Sequence, residues 1–496
     1  MMTDTEFTNL MMTDEAGVQT VGELSEGLRY KAVAQRISSM VESGELPPGS
    51  RAPSLRQTAR TTGMSLTTVG QAYAELERRG VLESRPRSGY FVRRRPALLP
   101  RAGMPPAEPP VARAVQRGEL VRRAMDAMGR SDILPLGLAH IDGRLLPAAD
   151  LARILGSCAR RQAVRSADYG PVPGCPELRR QIARRLALAG VSAAPEEIVL
   201  TCGATEGLAL ALRALTRPGD TVLIAVPAYH FFLQMIEVLG LRVVEIPSHP
   251  ERGVDLGDLE QALDRFRISA CILSPTWSNP DGSLVPEDGK RALVELLARR
   301  GVPLVEDDVY GDITFDGPRP PACKAFDRTG GVTLVSSFSK SMAPGYRTGY
   351  VLPARGQEAV IHELKAMTTL AGVSATELAV AEYLDKGLYE RHLARLTRAL
   401  RDQVEAMRDA VARHFPVGTR ATRPGGGFML WVELPEDAVT GLTLFQRAAA
   451  EGIGISPGML FGMTDRFERF IRLNCGLIMD APVQRAMRRL GLLARP

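Results

Sequence analysis

The chain has 496 residues, of which 45% are hydrophobic and 24% are charged, and its formal net charge is +6. This length predicts two or three domains, and the apolar content excludes an intrinsically disordered protein. A mildly basic chain is compatible with an acidic partner such as nucleic acid, but the charge alone does not identify one.

The six cysteines are scattered without a C-x-x-C pair, which is typical of reduced thiols and not of a disulfide framework or a zinc site. The N-terminal residues are acidic and polar, and no apolar run in the sequence approaches the length of a membrane span. The sequence therefore predicts a cytoplasmic protein with no membrane partner and no metal.

The first region with a regular pattern runs from residue 24 to residue 93. It begins with an amphipathic helix and a proline-rich turn. A second helix begins at Ser54 and a third begins at Ser65, because serine is a favoured N-cap residue. The following segment predicts a β-hairpin with its turn at Ser88 and Gly89. This order of elements is the outline of a winged helix-turn-helix.

In such a fold the second helix of the helix-turn-helix enters the major groove of DNA. We expect its first turn to present hydroxyl groups to the bases, and nearby arginines to contact phosphates or the minor groove. The predicted DNA-binding residues are Arg56, Ser65, Thr67, Thr68, Arg85, Arg87, Ser88 and Gly89. A small helical domain with solvated arginines would share this outline and is the alternative.

This region closely resembles the GntR-type winged helix over its whole length, and the resemblance implies binding of double-stranded operator DNA. The matching segments are SGELPPGSRAPSLRQTA, MSLTTVGQAYAELERRGVL and SGYFV. Two positions depart from the family. Leu66 stands where many relatives have an arginine, and Gly70 occupies a position that is often polar or basic. We therefore expect unusual base recognition, with phosphate contacts supplying much of the affinity.

Residues 94–130 are rich in proline, arginine and alanine and show neither helical nor strand periodicity. This composition predicts a semi-extended basic linker between two regions of domain size.

Beyond the linker, in residues 131–496, short apolar runs alternate with amphipathic helices. The runs that predict buried strands are EEIVLTCG, DTVLIAVP, LRVVEIP, SACILSP, GVPLVEDD and GVTLVSS. The alternation predicts an α/β domain with a mainly parallel, doubly wound sheet over about residues 190–370. A long arginine-rich helix and two further strands predict a smaller α+β part, formed by residues 131–175 together with 376–496.

Polar residues follow five of the predicted strands, and the carboxyl ends of parallel strands line the ligand crevice of an open sheet. Their types suit pyridoxal 5'-phosphate. The Lys340 amine could form a Schiff base with it, and the Asp307 carboxylate could pair with its pyridine nitrogen. The Tyr229 ring could stack on the cofactor, while Asn279 and Tyr310 could bond its phenolic oxygen.

The predicted phosphate site combines the start of a helix with hydroxyl groups and an arginine. Its residues are Gly203, Ala204, Thr205, Ser337, Ser339 and Arg347. Taken singly, each of these polar residues has an ordinary structural explanation, such as a surface charge, a helix cap or a loop. The hypothesis depends on their combination at one edge of a sheet.

From about residue 135 to its end the chain resembles a fold-type I aminotransferase. The matching motifs are YGPVPGCPELR, TCGATEGL, VPAYHFF, SPTWSNPDG, VEDDVYGD, SFSKSMAPGYRTGY and FIRLNCG. A winged helix joined to such a domain is the architecture of the MocR subgroup of GntR regulators. The resemblance implies the roles given above, with Lys340, Asp307 and Tyr229 as the catalytic residues. It also implies a homodimer in which Tyr169 reaches the partner subunit's phosphate, and an effector carboxylate bound by Arg472.

These features favour a transcriptional regulator that senses an amino compound, or the cofactor itself, through an aminotransferase-like domain. In this hypothesis an amino compound replaces Lys340 on the cofactor and favours one domain arrangement, and the linker transmits this bias to the paired winged helices. A genuine aminotransferase with an accessory DNA-binding domain is the alternative, because the predicted site is chemically complete. A DNA-binding protein with a vestigial, empty aminotransferase fold is a third hypothesis.

Overall fold

The computed structural model describes residues 26–43, 45–46, 50–85, 88–92, 99–105, 108–116 and 132–496. The chain divides into two compact units between residues 98 and 99. Among the described residues, no helix combines the length and the apolar character needed to cross a membrane.

The first unit is a winged helix with its own hydrophobic core. Its helices are α1 (Glu26–Glu42), α2 (Leu55–Thr62) and α3 (Leu66–Arg78), and its antiparallel hairpin consists of β1 (Leu82–Arg85) and β2 (Gly89–Val92).

The ends of α2 and α3 follow from local capping. Ser54 Oγ accepts a hydrogen bond from the Gln57 amide at 3.2 Å, and Ser65 Oγ accepts one from the Thr68 amide at 3.1 Å. Gly63 ends α2 in the left-handed region at φ +66°, which glycine adopts without steric strain. The predicted starts of both helices are therefore confirmed.

The second unit contains a large sheet, a smaller sheet and the helices that cover them. The helices are α4 (Ala148–Arg161), α5 (Ala163–Ala167), α6 (Pro176–Leu186), α7 (Ala204–Leu215), α8 (His230–Val238), α9 (Leu256–Arg265), α10 (Glu287–Arg300), α11 (Glu358–Thr368), α12 (Ser374–Asp385), α13 (Leu388–His414), α14 (Gly441–Ala449) and α15 (Ala481–Leu493). The strands are β3 (Arg113–Ala114), β4 (Leu134–Pro135), β5 (Val199–Cys202), β6 (Thr221–Val226), β7 (Arg242–His249), β8 (Gly253–Val254), β9 (Ala270–Leu273), β10 (Leu304–Asp307), β11 (Val332–Ser337), β12 (Thr348–Leu352), β13 (Arg420–Ala421), β14 (Met429–Glu433), β15 (Ile453–Gly454), β16 (Ser456–Pro457) and β17 (Phe470–Asn474).

The large sheet has the strand order β3-β7-β6-β9-β10-β11-β12-β5, with β8 paired to β7. Strands β7, β6, β9, β10 and β11 are parallel, whereas β12 is antiparallel to both of its neighbours, β11 and β5. Strand β5 consequently runs in the same direction as the parallel group. The carboxyl ends of these strands and the start of β12 therefore lie at one edge, and the predicted mainly parallel sheet is confirmed.

Both faces of the large sheet are covered, because its strands are apolar on both sides. Along β6, Val222 and Ile224 join the core beneath α7 and α8, whereas Leu223 joins the core beneath α9 and α10. This alternation is the two-residue period of a strand whose two faces are both buried.

The smaller sheet has the strand order β13-β14-β17-β16 and is antiparallel throughout. Helices α13, α14 and α15 share its hydrophobic core. Strand β4 pairs separately with β15, which places the first residues of the predicted smaller part beside this sheet.

The packing of residues 148–186 differs from the predicted division, which placed residues 131–175 and 376–496 in the smaller part. The apolar faces of α4, α6 and α12 form one core with Leu200, Leu334 and Leu352 of the large sheet. The sequence analysis did not identify α4 and α6 individually, and an amphipathic pattern contains no information about which sheet a helix covers.

The predicted linker is packed on the second unit over part of its length. The Ala102 amide donates to the Ala421 carbonyl at 3.3 Å, the Ala421 amide donates to the Pro100 carbonyl at 2.9 Å, and the Gly103 amide donates to the Glu433 carboxylate at 2.7 Å. Further along, β3 adds an antiparallel strand to the edge of β7. The remaining linker residues, 94–98, 106–107 and 117–130, lie outside the described residues.

Candidate cofactor site and DNA interface

A cleft of about 530 Å³ opens at the carboxyl edge of the large sheet. It is lined by Ala139, Ala204, Thr205, Leu208, Tyr229, Asn279, Asp307, Val309, Tyr310, Ser337, Ser339, Lys340 and Arg347. Of the residues predicted to bind the cofactor, only Gly203 and Tyr169 are not part of this lining.

The strand register brings Gly203 and Arg347 together. Cys202 at the end of β5 is paired with Thr348 at the start of β12, so the residues just beyond them are neighbours. Arg347 Nη2 donates to the Cys202 carbonyl at 2.9 Å. Gly203 has φ +81°, and a Cβ atom there would clash with the Arg347 guanidinium, so this position requires glycine.

The N-terminus of α7 provides amide donors for an anion. Gly203 is the N-cap residue and has no side chain to occupy the first amides of the helix. Ser337 and Ser339 line the same cleft, and Arg347 Nη1 donates to Ser339 Oγ at 3.5 Å. Helix amides, hydroxyls and a guanidinium form a donor set that suits a phosphate group.

Lys340 lies half-buried in the cleft, where its Nζ donates to the Ala139 carbonyl at 2.8 Å. The pKa of Lys340 is lowered to about 8 by loss of solvation and by the Arg472 and Arg347 charges, against the opposing charge of Asp307. A lowered pKa increases the fraction of neutral amine near physiological pH, and the neutral amine is the nucleophile.

Asp307 is the buried carboxylate at the end of β10. Ser274 Oγ donates to its Oδ2 atom at 3.2 Å, whereas Oδ1 is buried and has no hydrogen-bond partner among the described residues. Burial raises the pKa of Asp307 to about 7. A buried carboxylate oxygen without a donor is unfavourable unless a ligand supplies one.

Arg472 lies behind the cleft on β17 and is fully buried. Its Nη1 atom donates to Asn279 Oδ1 at 2.8 Å, and its Nη2 atom donates to Ser456 Oγ at 3.1 Å and to the Gly137 carbonyl. Its Nε atom has no partner among the described residues. Asn279 itself lines the cleft, so this hydrogen bond joins Arg472 to the lining.

Two tyrosines predicted at the site have different positions. Tyr229 lines the cleft at the start of α8, where burial raises the pKa of its hydroxyl. Tyr169 is 82% exposed and does not line the cleft of its own chain.

Two ranges of the chain match known protein families. Residues 29–92 match the family described as bacterial regulatory proteins, gntR family, and residues 142–490 match aminotransferase class I and II. Two proteins of Escherichia coli K12, the uncharacterized HTH-type transcriptional regulators YdcR and YjiR, are 36% and 33% identical to this chain. The matches cover 94% and 93% of this chain and 98% of each relative.

The chain is a GntR-family regulator of the MocR type. It is a DNA-binding transcriptional regulator with an aminotransferase-like domain, as the sequence analysis predicted.

The second unit of this MocR-type regulator is similar to solved aminotransferase structures. LysN, an alpha-aminoadipate aminotransferase from Thermus thermophilus complexed with N-(5'-phosphopyridoxyl)-L-leucine, is 29% identical with a TM-score of 0.69. That match covers 75% of this chain and 94% of LysN. Kynurenine aminotransferase from Pyrococcus horikoshii is 27% identical with a TM-score of 0.71, over 76% of this chain and 95% of that one. The predicted fold-type I class is confirmed.

The cleft of the MocR-type regulator fits pyridoxal phosphate on the evidence of its own donors and acceptors. Asp307 Oδ1 lacks a donor that a protonated pyridine nitrogen would supply. The amides at the start of α7 suit the phosphate, and the Lys340 amine lines the same cleft. Within the described part of the chain, no group of three or more His, Cys, Asp or Glu side chains is arranged to hold a metal ion.

The predicted DNA-binding residues of the MocR-type regulator have different surroundings. Arg56 and Thr67 are exposed, whereas Ser65 Oγ caps α3 and lies 2.9 Å from Thr68 Oγ1. Ser88 and Gly89 are exposed at the hairpin. Arg85 ends β1, and Arg87 lies outside the described residues.

Two residues with notable positions were missed by the sequence analysis. Ser274, which bonds Asp307, follows β9 directly, so the strand-end pattern that indicated Asp307 could have indicated it as well. Leu66 was noted only as a departure from the family, but its side chain is 53% exposed at the start of α3.

We expect Asp307→Asn to stabilise the cofactor-free protein at pH 8. The pKa of Asp307 is about 7 in the native state and near 3.8 without burial, so its carboxyl favours folding most below pH 4. This contribution is lost as the pH rises through 7. The free energy of urea unfolding should therefore increase in the variant by roughly 1–4 kcal/mol at pH 8 and by less at pH 5.

The exposed Asp437 provides the control, because Asp437→Asn should change the unfolding free energy at neither pH. A loss of stability in Asp307→Asn that is equal at both pH values would contradict this interpretation.

Proposed function

We propose that this regulator binds pyridoxal phosphate at Lys340 and responds to an amino compound that binds in the same cleft. Its winged helix (residues 24–93) would bind operator DNA in the cytoplasm, and residues 131–496 would bind the cofactor and the effector. The observation that supports the proposal is that one cleft holds the Lys340 amine, the unpaired Asp307 carboxylate oxygen and the first residues of α7, which has no side-chain cap.

Pyridoxal phosphate supplies an aldehyde that condenses with amines and a ring that withdraws electrons from the bound amino group. The surrounding residues would orient it. Asp307 would hold a proton at the pyridine nitrogen, the Tyr229 ring would stack on the cofactor, and Asn279 and Tyr310 would bond its phenolic oxygen. The phosphate would be held by Gly203, Ala204, Thr205, Ser337, Ser339 and Arg347.

The effector site would be coupled to the cofactor through Asn279. The Arg472 guanidinium bonds Asn279 Oδ1, and Asn279 lines the cleft together with Tyr310. The two N–H groups of Arg472 Nη2 already bond Ser456 and Gly137, so an effector carboxylate that takes over this atom must displace one of them. This exchange would give two arrangements that differ in their contacts, which is the requirement for a ligand to shift an equilibrium.

The alternative is an aminotransferase with an accessory DNA-binding domain. It is supported by the similarity to 2-aminoadipate transaminase of Thermus thermophilus, which is 30% identical over 75% of this chain and 92% of that protein. Steady turnover of an amino donor and a 2-oxo acid by the full-length protein would favour this alternative. An effector that changes operator affinity without turnover would favour the regulator.

We also propose a homodimer in which the partner subunit completes each site. Tyr169 is exposed together with Val164, Met367 and Val373, and Ser374 Oγ donates to the Asp168 carbonyl at 3.0 Å, which connects two of these segments. The hydroxyl of Tyr169 would reach the phosphate bound by the neighbouring subunit.

Lys340→Ala should abolish the visible absorption band of the lysine-bound cofactor, because no other amine lines the cleft among the described residues. DNA binding without effector, measured by fluorescence anisotropy, should stay unchanged. Lys386→Ala, at an exposed lysine, is the control and should keep the band. Retention of the band in Lys340→Ala would refute the assignment.

Arg472→Lys should weaken the response to an amino acid by about tenfold or more, because it removes a two-oxygen contact to a buried carboxylate. The response to the corresponding amine without a carboxylate should change little, as measured by the absorption change during titration. Equal weakening for both ligands would show that Arg472 does not bind the carboxylate.

Tyr169→Phe should lower the affinity for pyridoxal phosphate several-fold, since a hydrogen bond to a charged phosphate is lost. Mixed dimers of Tyr169→Phe and Lys340→Ala chains should recover one intact site, because the Lys340→Ala chain supplies Tyr169 to its partner. Fluorescence titration of the cofactor against the separate and the mixed variants measures this recovery. Its absence would contradict sites shared between subunits.

A further inference from the structure

The outward face of α3 is uncharged where it would meet DNA. Helix α3 is held in the winged helix by the buried side chains of Val69, Ala72, Tyr73 and Leu76, which fixes the opposite face outward. From Leu66 to Ala74 the sequence is LTTVGQAYA and contains no charged residue. The common bidentate contact of arginine or lysine to guanine is therefore not available from these turns.

Three hydroxyl groups lie at the start of α3, and two of them, those of Ser65 and Thr68, are within hydrogen-bond distance of each other. Ser65 Oγ accepts from the Thr68 amide at 3.1 Å and lies 2.9 Å from Thr68 Oγ1. Leu66, between them, is 53% exposed and does not belong to the hydrophobic core of this unit. The side chain that α3 exposes between these two hydroxyl groups is therefore an isobutyl group.

Gly70 lies one turn after Leu66 on the same face, and a Cβ atom at Gly70 would meet nothing within 4 Å. Its φ is not positive, so the backbone does not require glycine. Glycine in a helix interior is less stable than alanine by about 1 kcal/mol. No contact within the winged helix explains why this loss of helix stability is tolerated at Gly70. The open space beside Leu66 gives room for a bound group.

We propose that Leu66 contacts the 5-methyl group of a thymine in the major groove, and that Gly70 leaves room for the DNA to approach it. The thymine methyl is the apolar group that base pairs display in this groove, and aliphatic side chains read it by direct contact. This inference deepens the DNA binding of the winged helix and rests on it. It assigns to Leu66 the selection of an A·T pair.

The experiment begins with a duplex selected from a random library by the full-length protein in the presence of pyridoxal phosphate. Each thymine is then replaced singly by deoxyuridine, which removes the methyl group alone. We expect one position in each half-site at which this replacement weakens binding about fourfold. Leu66→Ala should weaken binding to the thymine duplex and should be insensitive to deoxyuridine at that position.

Two further variants separate base reading from other effects. Leu188→Ala, at an exposed leucine in the second unit, should keep the deoxyuridine sensitivity of the wild type. Gly70→Ala should raise the Tm of the winged helix and yet weaken DNA binding, which a purely structural role of Gly70 would not produce.

The possible outcomes separate a failure of thymine recognition by Leu66 from a failure of DNA binding itself. If no duplex is enriched, DNA binding fails and the inference falls with it. If a duplex is enriched but deoxyuridine has no effect at any position, or Leu66→Ala retains the wild-type sensitivity, the inference is overturned while DNA binding stands.

Discussion

The antiparallel insertion of β12 between β11 and β5 is the constraint on which the cofactor cleft depends. Gly349 pairs with Ser337 on one side and with Thr201 on the other, so the residues preceding β12 lie where its neighbours end. A Cβ atom at Gly349 would lie 2.6–2.9 Å from backbone atoms at Gly203 and Ala204. This close approach brings the Arg347 guanidinium to the start of α7, and the phosphate donors converge only because of it.

A buried polar network holds the residues behind the cleft. It consists of Asp308, Arg319, Asp312, Tyr389 and Ser341. Asp308 follows Asp307 and Ser341 follows Lys340, so the network fixes the backbone beside both residues. Burial alone would raise the pKa of Asp312, but Arg185 and Arg319 lower it to about 2. Most polar atoms of this network are thus paired internally. Asp308 Oδ1 and Asp307 Oδ1 both have no hydrogen-bond partner among the described residues, and of these two residues only Asp307 lines the cleft.

Local signals in the sequence predicted the winged helix, six strands of the large sheet and most residues of the cleft, whereas β12 was not among the predicted strands. Serine caps predicted the starts of α2 and α3, and apolar runs followed by polar residues predicted the strand ends that supply Lys340 and Asp307. The direction of β12 was not predictable, because a short apolar run reads the same for parallel and antiparallel pairing. The packing of residues 99–103 was also missed, since backbone hydrogen bonds to a distant strand leave no periodic pattern in the sequence.

The packed part of the linker is attached to the sheet that carries Arg472. Residues 100–102 bond Ala421 on β13, and the Gly103 amide bonds Glu433 at the end of β14. Strand β14 in turn pairs with β17, where Trp431 lies opposite Arg472. Because sheet strands move as a hydrogen-bonded unit, a shift of β17 that accompanies effector binding would also move the segment leading to the winged helix. The proposed signal would then pass from Arg472 on β17 through β14 to residues 100–103.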